Sequence, residues 1–586
     1  MQLSSAQPPA AASTHHTTRH GLSRVAMRLT SPTAVPLVAV SFGLLLAVIS
    51  GAIAASRAFD GLYGQDAYAY FDYATTSVRQ SILHVRPLEP FFWPPGYPLL
   101  VALTSLVLGP VPLAGQLMSL LMGALVPVLT VLLARALWPE DTALALLAGA
   151  LVAVCGQLWQ SSVVVMADTT GLALATFSAL ALVRYAGSRH VAWLIAASAA
   201  IAAATLSRWI YGLVAVPFTL YAASVLFDRR DHARWSIRLM HAAAAIAIAA
   251  LILGPVVAEP LFGLVRDPAQ PASFAGNFQV YSWSPLNALR HDFFTADGHL
   301  AYAQPNALYY AMAPANPAYF GPLLAVWILL GLWAARRWPL RNIALVVGWA
   351  AIVFIFHAGA PWQNFRFTLA YLPPLAILAA AGALLVWRWL PAERRPDEVR
   401  RRLEVHGMPA ERRPDEEHGL PEERWPPEVR RPIEVRWLAG LRTLAEPRPT
   451  LRAFVAVCLV VGLVTTAAAA VRLVERFIDT KDRELALVHW VQLQTPANAE
   501  LFSFGPTLAF RHYSGLPTFD LFDLSPADVE AILGHPASHY LLVDTASVQS
   551  QWLDQAPSRN FQLLRDQVGL QELGTADGYT LYQVTP

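Results

Sequence analysis

The sequence predicts a polytopic α-helical membrane protein with about eleven transmembrane helices and a small C-terminal α/β extracytoplasmic domain. Three observations lead there. The 586 residues are 55% hydrophobic and only 14% charged, where soluble chains carry nearer ~25% charge. The apolar residues fall in repeated runs of about 20, the length a bilayer demands. The arginines gather in alternate breaks between those runs, the pattern of cytoplasmic loops.

The elements follow in order. Arg19, Arg24 and Arg28 precede an apolar stretch over 35–55. That stretch is too long for the core of a signal peptide, and no clean small-x-small cleavage site follows it. It is therefore expected to remain as the first span, 34–55, behind a cytoplasmic tail over 1–33. Further spans are expected at 112–134, 142–160, 169–187, 191–207, 209–227, 240–260, 319–335, 342–360, 368–389 and 451–472. Residues 97–108 are apolar but too few to span; ending in Gly109-Pro110, they fit a re-entrant or interfacial helix.

With the N-terminus in the cytoplasm, counting crossings puts Arg184 and Arg189 inside. It also puts Arg229, Arg230, Arg234, Arg238, Arg336, Arg337 and Arg341 there, with the arginine block after 390. The outer segments are then the loop 56–97 with the re-entrant piece, the loop 261–318 and the region 473–586. Three short turns near Asp168, Arg208 and Arg366 also lie outside.

Residues 391–450 contain PAERRPDE at 391–398 and again at 409–416, with a degenerate copy from Pro421. Proline and mixed charge at this density build no packed core, so a flexible cytoplasmic insert is expected. The two cysteines, Cys155 and Cys458, sit in separate apolar runs and read as buried hydrophobes. Lys481 is the only lysine, which reads as compositional bias. In the last region, 484–493 is expected to be a helix, and 501–504 and 540–543 short buried strands. Ser525-Pro526 opens a helix with a cap and proline at its first position. Asp577-Gly578 turns between two final strands, 570–573 and 579–584.

The first outer loop, FDGLYGQDAYAYFDYATTSVRQSILHVRPLEPFFWPPGYPLLVAL, is rich in aromatics, carboxylates and proline. Aromatic rings stack on sugar faces, and carboxylates accept from sugar hydroxyls; an interfacial aromatic belt is the plainer alternative. Asp66, Tyr68, Asp72, Glu89, Trp93 and Tyr97 are the candidates there. Asp168 begins a span at its outer end, where a carboxylate either caps a helix or serves a site. Arg208 and Arg366 lie at outer helix ends, where arginine is disfavoured; they either snorkel or clamp a phosphate. His357, near another outer end, is either a packing residue or a substrate contact. Asp66, Asp168, Arg208 and Arg366 come from four segments, yet parity puts all four on one face. Ionisable groups at a membrane edge are costly and tend to be functional. Such a set suits a group transfer in which arginines hold a lipid-linked phosphate while a carboxylate deprotonates an acceptor.

These segments resemble the GT-C superfamily of membrane glycosyltransferases. The closer likeness is to the protein-mannosyltransferase and aminoarabinose-transferase group and the RgtA/B/C/D-like bacterial domains. GQDAYAYFDYA followed by FFWPPGYPLLVAL carries it in the first loop, and GQLMSLLMGALVPVLTVLLARALW resembles the second span. MADTTGLALATFSALALVRY resembles an acidic junction before a later span, and NFRFTLAYLPPLAILAAAGA a late R-F-x-x-x-x-x-P segment. The likeness covers roughly 30–390. It implies a GT-C-like domain over 34–390 and an inverting glycosyltransferase. A sugar would pass from a polyprenyl-phosphate donor to a glycan, lipid or protein acceptor on the extracytoplasmic face. Asp66 matches the first-loop catalytic aspartate and Asp168 the second acidic position; Arg208 and Arg366 are candidates for the donor phosphate. Many members have Asp-Glu in that loop, whereas Ala67 follows Asp66 here; either Asp72 or Glu89 substitutes, or the acceptor differs. No cofactor, metal or nucleic acid is expected, and membrane lipids of a bacterial inner membrane are. The alternatives are a transporter or flippase, which more often shows repeated halves, and a ligase or polymerase acting on lipid-linked glycans.

Overall fold

A computed structural model describes residues 34–89, 91–228, 234–262, 282–295, 297–389 and 449–585. The expected tail over 1–33 and nearly all of the insert 391–450 lie outside the described residues, as do 263–281 of the second outer loop.

The membrane part is built of apolar helices. They are α1 (Ala34–Ser56), α2 (Gln65–Asp72), α3 (Gly96–Leu108), α4 (Pro112–Leu137), α5 (Thr142–Ala153), α6 (Gly156–Val163) and α7 (Asp168–Ser188). There follow α8 (Val191–Ser207), α9 (Ile210–Leu226), α10 (Trp235–Phe262), α11 (Pro322–Ala335), α12 (Leu340–Gly359), α13 (Leu372–Trp389) and α14 (Pro449–Gln494). Seven helical stretches are long and apolar enough to cross a bilayer, among them 365–389, which carries α13. The α5–α6 pair, bent by 55°, makes an eighth. The shorter apolar helices α8, α9 and α11 fill the three remaining predicted positions, and α3 is 13 residues, as its length foretold.

The bend between α5 and α6 was not expected from the continuous apolar run. It has a visible partner: the Gln157 amide, freed from the helical ladder, donates to the Ala318 carbonyl at 2.9 Å. Elsewhere, small residues let helices touch backbone to backbone. A Cβ on Gly331 would collide with the Leu378 carbonyl, and one on Gly382 with that of Trp327, so α11 and α13 pack in direct contact.

The first connector is helical rather than a loop. After α2 the chain forms a π-helical turn over Tyr73–Val78 and a short helix over Arg79–His84.

A span over 451–472 followed by a separate helix at 484–493 is corrected. Residues 449–494 form one helix of 46 residues. No glycine or proline lies between 463 and 495 to break it. At about 1.5 Å per residue it runs roughly 70 Å, more than twice a ~30 Å hydrocarbon layer, so it leaves the membrane and enters the C-terminal region.

There, β3 (Glu500–Ser503), β4 (Thr518–Asp520), β5 (His539–Val543), β6 (Gly569–Ala576) and β7 (Tyr579–Thr585) form a sheet in the order β4-β3-β5-β7-β6. The first three are parallel, and β7 and β6 complete it antiparallel. All five residues of β5 are buried, as its apolar run requires. Asp577 and Gly578 take φ of 48° and 83° in the β6–β7 turn, as the Asp-Gly pair predicts. Ser525 and Asp528 close a capping box on the helix Pro526–Leu533. A hairpin not foreseen, β1 (Asp292–Thr295) with β2 (Gly298–Ala301), meets this domain through the His299 amide and the Gln551 carbonyl at 2.7 Å.

Candidate active site

Asp66 is the second residue of α2, which starts after Gly64 at φ 74°. Its Oδ2 accepts from Arg366 Nη2 at 2.6 Å. Arg366 sits in a 3-10 turn, Phe365–Tyr371, whose start is fixed by the Asn364 side chain accepting from the Arg366 amide at 3.0 Å. Asp168 is the first residue of α7, but Ala167 occupies the cap position, so the capping alternative does not hold. Instead Asp168 Oδ1 accepts from Arg208 Nη1 at 2.5 Å, and its Oδ2 lies 3.6 Å from Arg366 Nε. Arg208 is held in extended backbone between α8 and α9.

The four side chains thus alternate in sign along one line: Arg208, Asp168, Arg366, Asp66. The Phe367 ring lies beneath both guanidinium groups, 5.4 Å from that of Arg208 and 5.7 Å from that of Arg366. Asp168 is buried, whereas the Asp66 side chain keeps 24% of its exposure. Removing one member of a buried pair strands its partner, at a typical cost of about 3–5 kcal/mol.

Asp66 and Arg366 open on a cavity of about 550 Å³. Gln157, Gln160 and Ser161 of α6 and Asn364 supply polar walls; Val164, Met166, Phe365, Leu473 and Phe477 supply apolar ones. Asp168 and Arg208 do not line it. The arrangement offers one carboxylate, one bidentate cation and neutral hydrogen-bonding groups to a molecule that is polar at one end and apolar at the other. Among the described residues, no three His, Cys, Asp or Glu side chains are grouped to hold a metal ion.

The other candidates are placed elsewhere. Tyr68 is buried against α14, where its hydroxyl meets Glu484 and Lys481, so it does not face the cavity. Asp72 shares that face of α2, on the side of His512 and Arg511. Glu89 is exposed, and it is its carbonyl that accepts from the Tyr73 hydroxyl, at 2.6 Å. Neither Asp72 nor Glu89 lines the cavity, so neither stands in there for the acidic residue missing after Asp66. Trp93 packs beside Tyr70. Tyr97 is buried and bonds Ser119 Oγ at 2.8 Å; Ser119 in turn bonds the Met166 backbone, bracing the turn that leads to Asp168. His357 is stacked between Tyr310 and Phe367, at 5.4 and 5.0 Å, behind the ring that supports the arginines.

Two residues near the charges were missed. Tyr70 is buried, and burial holds its hydroxyl protonated, well above the usual tyrosine range, against the opposing charge of Arg208. Phe367 carries both guanidinium groups. Tyr70 was legible in principle: four residues from Asp66, it shares that residue's face of a helix.

Comparison with known proteins adds the following. Residues 93–258 match the model of the dolichyl-phosphate-mannose-protein mannosyltransferase family. No curated protein sequence matches the chain. The crystal structure of ArnT from Cupriavidus metallidurans bound to undecaprenyl phosphate is similar in fold, with a TM-score of 0.56 at 16% identity, covering 94% of this chain and 98% of that one. The apo structure of the same protein gives a TM-score of 0.53 at 16% identity over 92% and 97%.

Proposed function

We propose that this chain is a membrane glycosyltransferase of the GT-C superfamily, and that it moves a sugar from a polyprenyl-phosphate donor to an acceptor on the extracytoplasmic face. The observation that carries this reading is the pairing of Asp66 and Arg366 at the wall of a half-polar, half-apolar cavity. A phosphate is the natural competitor for a guanidinium fork now occupied by a carboxylate. Similarity in fold to a protein crystallised with undecaprenyl phosphate supports the same donor class.

In this reading Arg366 turns its fork to the donor phosphate, and Asp66 is released as a free carboxylate. The acceptor hydroxyl or amine gives its proton to Asp66 as its oxygen or nitrogen bonds the sugar C1. The bond from C1 to the phosphate oxygen breaks on the opposite side, giving inversion. Polyprenyl phosphate leaves with its charge balanced by Arg366. Arg208 and Asp168 stay paired and hold Arg366 in line. Gln157, Gln160 and Ser161 provide neutral partners for sugar hydroxyls. The extracytoplasmic assignment is supported by Arg184 and Arg189, at the opposite ends of α7 and α8 from Asp168 and Arg208, and by Arg341, at the opposite end of α12 from the turn that leads to Arg366.

The test is an assay of the full chain in lipid with a panel of polyprenyl-phosphate sugars. One donor should yield free polyprenyl phosphate and a product of inverted anomeric configuration. Retention, or transfer of a whole glycan, would contradict the proposal.

A further inference from the structure

Lys481 is the chain's single lysine among 42 basic side chains. Compositional bias accounts for the arginines but not for where the one exception sits. Lys481 lies on α14, beyond its apolar stretch, and is only 2% exposed. Its ammonium donates to the Tyr68 hydroxyl and, at 3.1 Å, to Glu484 Oε2. It also lies 4.1 Å from the centre of the Tyr513 ring and 4.9 Å from that of Tyr68. The Tyr68 hydroxyl donates to the same Glu484 oxygen at 3.1 Å, and the Tyr513 hydroxyl donates to Asp60. A compact ammonium with three donors fits between two rings and a carboxylate; a planar guanidinium fork has a different shape and needs a different partner geometry.

Three separate parts of the chain meet at this point. Asp60 and Tyr68 belong to the first connector, Lys481 and Glu484 to α14, and Tyr513 to the helix Thr507–Tyr513 of the C-terminal domain. Tyr68 follows Asp66 by two residues on α2, so the two point about 200° apart around the helix. One face of α2 is held by Arg366 and the other by Lys481. His512 adds a second contact on the Lys481 side, with its ring 5.8 Å from Phe71 and 6.0 Å from Tyr68.

We infer that Lys481 is a positioning residue. Through Tyr68 it fixes α2, and with it Asp66, so that docking of the C-terminal domain is a condition for a formed active site. This rests on the reading of Asp66 as the base, but the structural half of the test does not. A displacement of about 1 Å in a reacting group is enough to cost roughly a hundredfold in rate.

The experiment uses the full chain in lipid nanodiscs with two variants. Lys481→Met keeps the length of the side chain without its charge; Tyr68→Phe removes one hydroxyl and leaves the fold the least to lose. Amide exchange over 65–72 should quicken about tenfold in both, with exchange over 168–188 unchanged. In the transfer assay kcat should fall about tenfold or more, with the donor KM unchanged. Lys481→Arg should not restore it. Wild-type exchange over 65–72 in the inserted variants would overturn the inference. So would a loss confined to KM, which marks direct substrate contact, or full rescue by arginine. A wild-type chain that turns over no donor would count against the glycosyltransferase reading alone, and exchange would still decide whether Lys481 holds α2.

Discussion

Arg208, Asp168, Arg366 and Asp66 sum to zero charge, and the two pairs they form differ in exposure. The Asp168 side chain retains 5% of its exposure and that of Asp66 24%. Breaking the deeper pair therefore costs more. Asp168→Asn should lower stability by about 3 kcal/mol, since Arg208 would be left without its carboxylate in a desolvated site. Asp66→Asn should lower it by less, because water reaches the Arg366 pair. Unfolding midpoints of the two variants in the same detergent check this; an equal loss would contradict it. Arg366→Lys keeps the charge but loses the fork. It should cost about 1.5–3 kcal/mol of transition-state stabilisation, a fall in kcat/KM of roughly ten- to 150-fold in the transfer assay. That these four residues would share one end of the molecule was legible, because ionisable side chains at a membrane edge are rare and parity orders them. The neighbours of Asp66 were less legible. Read as a loop, the segment put Tyr68 and Asp72 forward and passed over Tyr70. Read as the helix it is, 66 and 70 share one face while 68 and 72 share another.

At the scale of the element, α14 joins the membrane part to the C-terminal domain without a break. Its distal half carries Phe477 to the cavity and Lys481 to α2. Asp479→Pro would remove a backbone hydrogen bond and clash with the preceding turn, a cost of about 3 kcal/mol or more. Among the described residues, the side chain it replaces pairs with the half-exposed Arg57, which contributes little. Transfer should fall sharply while membrane insertion is retained, and full activity in this variant would show that the helix need not be continuous. The sequence indicated a span and a helix here but not their fusion, because falling hydropathy marks the membrane boundary and not the end of a helix. The reverse holds for α5 and α6. One apolar run is bent where the Gln157 amide meets the Ala318 carbonyl, a partner 161 residues away that no local pattern reveals. Strand β5 was legible from its apolar run, whereas β4, only three residues long, was not.

At the scale of the molecule, the order of apolar runs was sufficient to give the membrane architecture, and the fold similarity to ArnT extends across nearly the whole chain. What it did not give was the docking of the C-terminal domain on the first connector, which depends on single side chains. By the same parity the arginine- and proline-rich insert, which lies outside the described residues, is expected on the side away from Asp66. Deleting 391–432 should therefore leave transfer within about twofold of wild type. Complete loss in a correctly inserted protein would make the insert more than a spacer. The most direct measurement for the account as a whole is release of free polyprenyl phosphate from its donor by the wild-type chain and by Asp66→Asn, side by side in lipid. The account predicts release by the first and none by the second, with both inserted normally. Equal release by both would contradict it, because the carboxylate that Arg366 holds at the cavity wall would then have no part in the reaction.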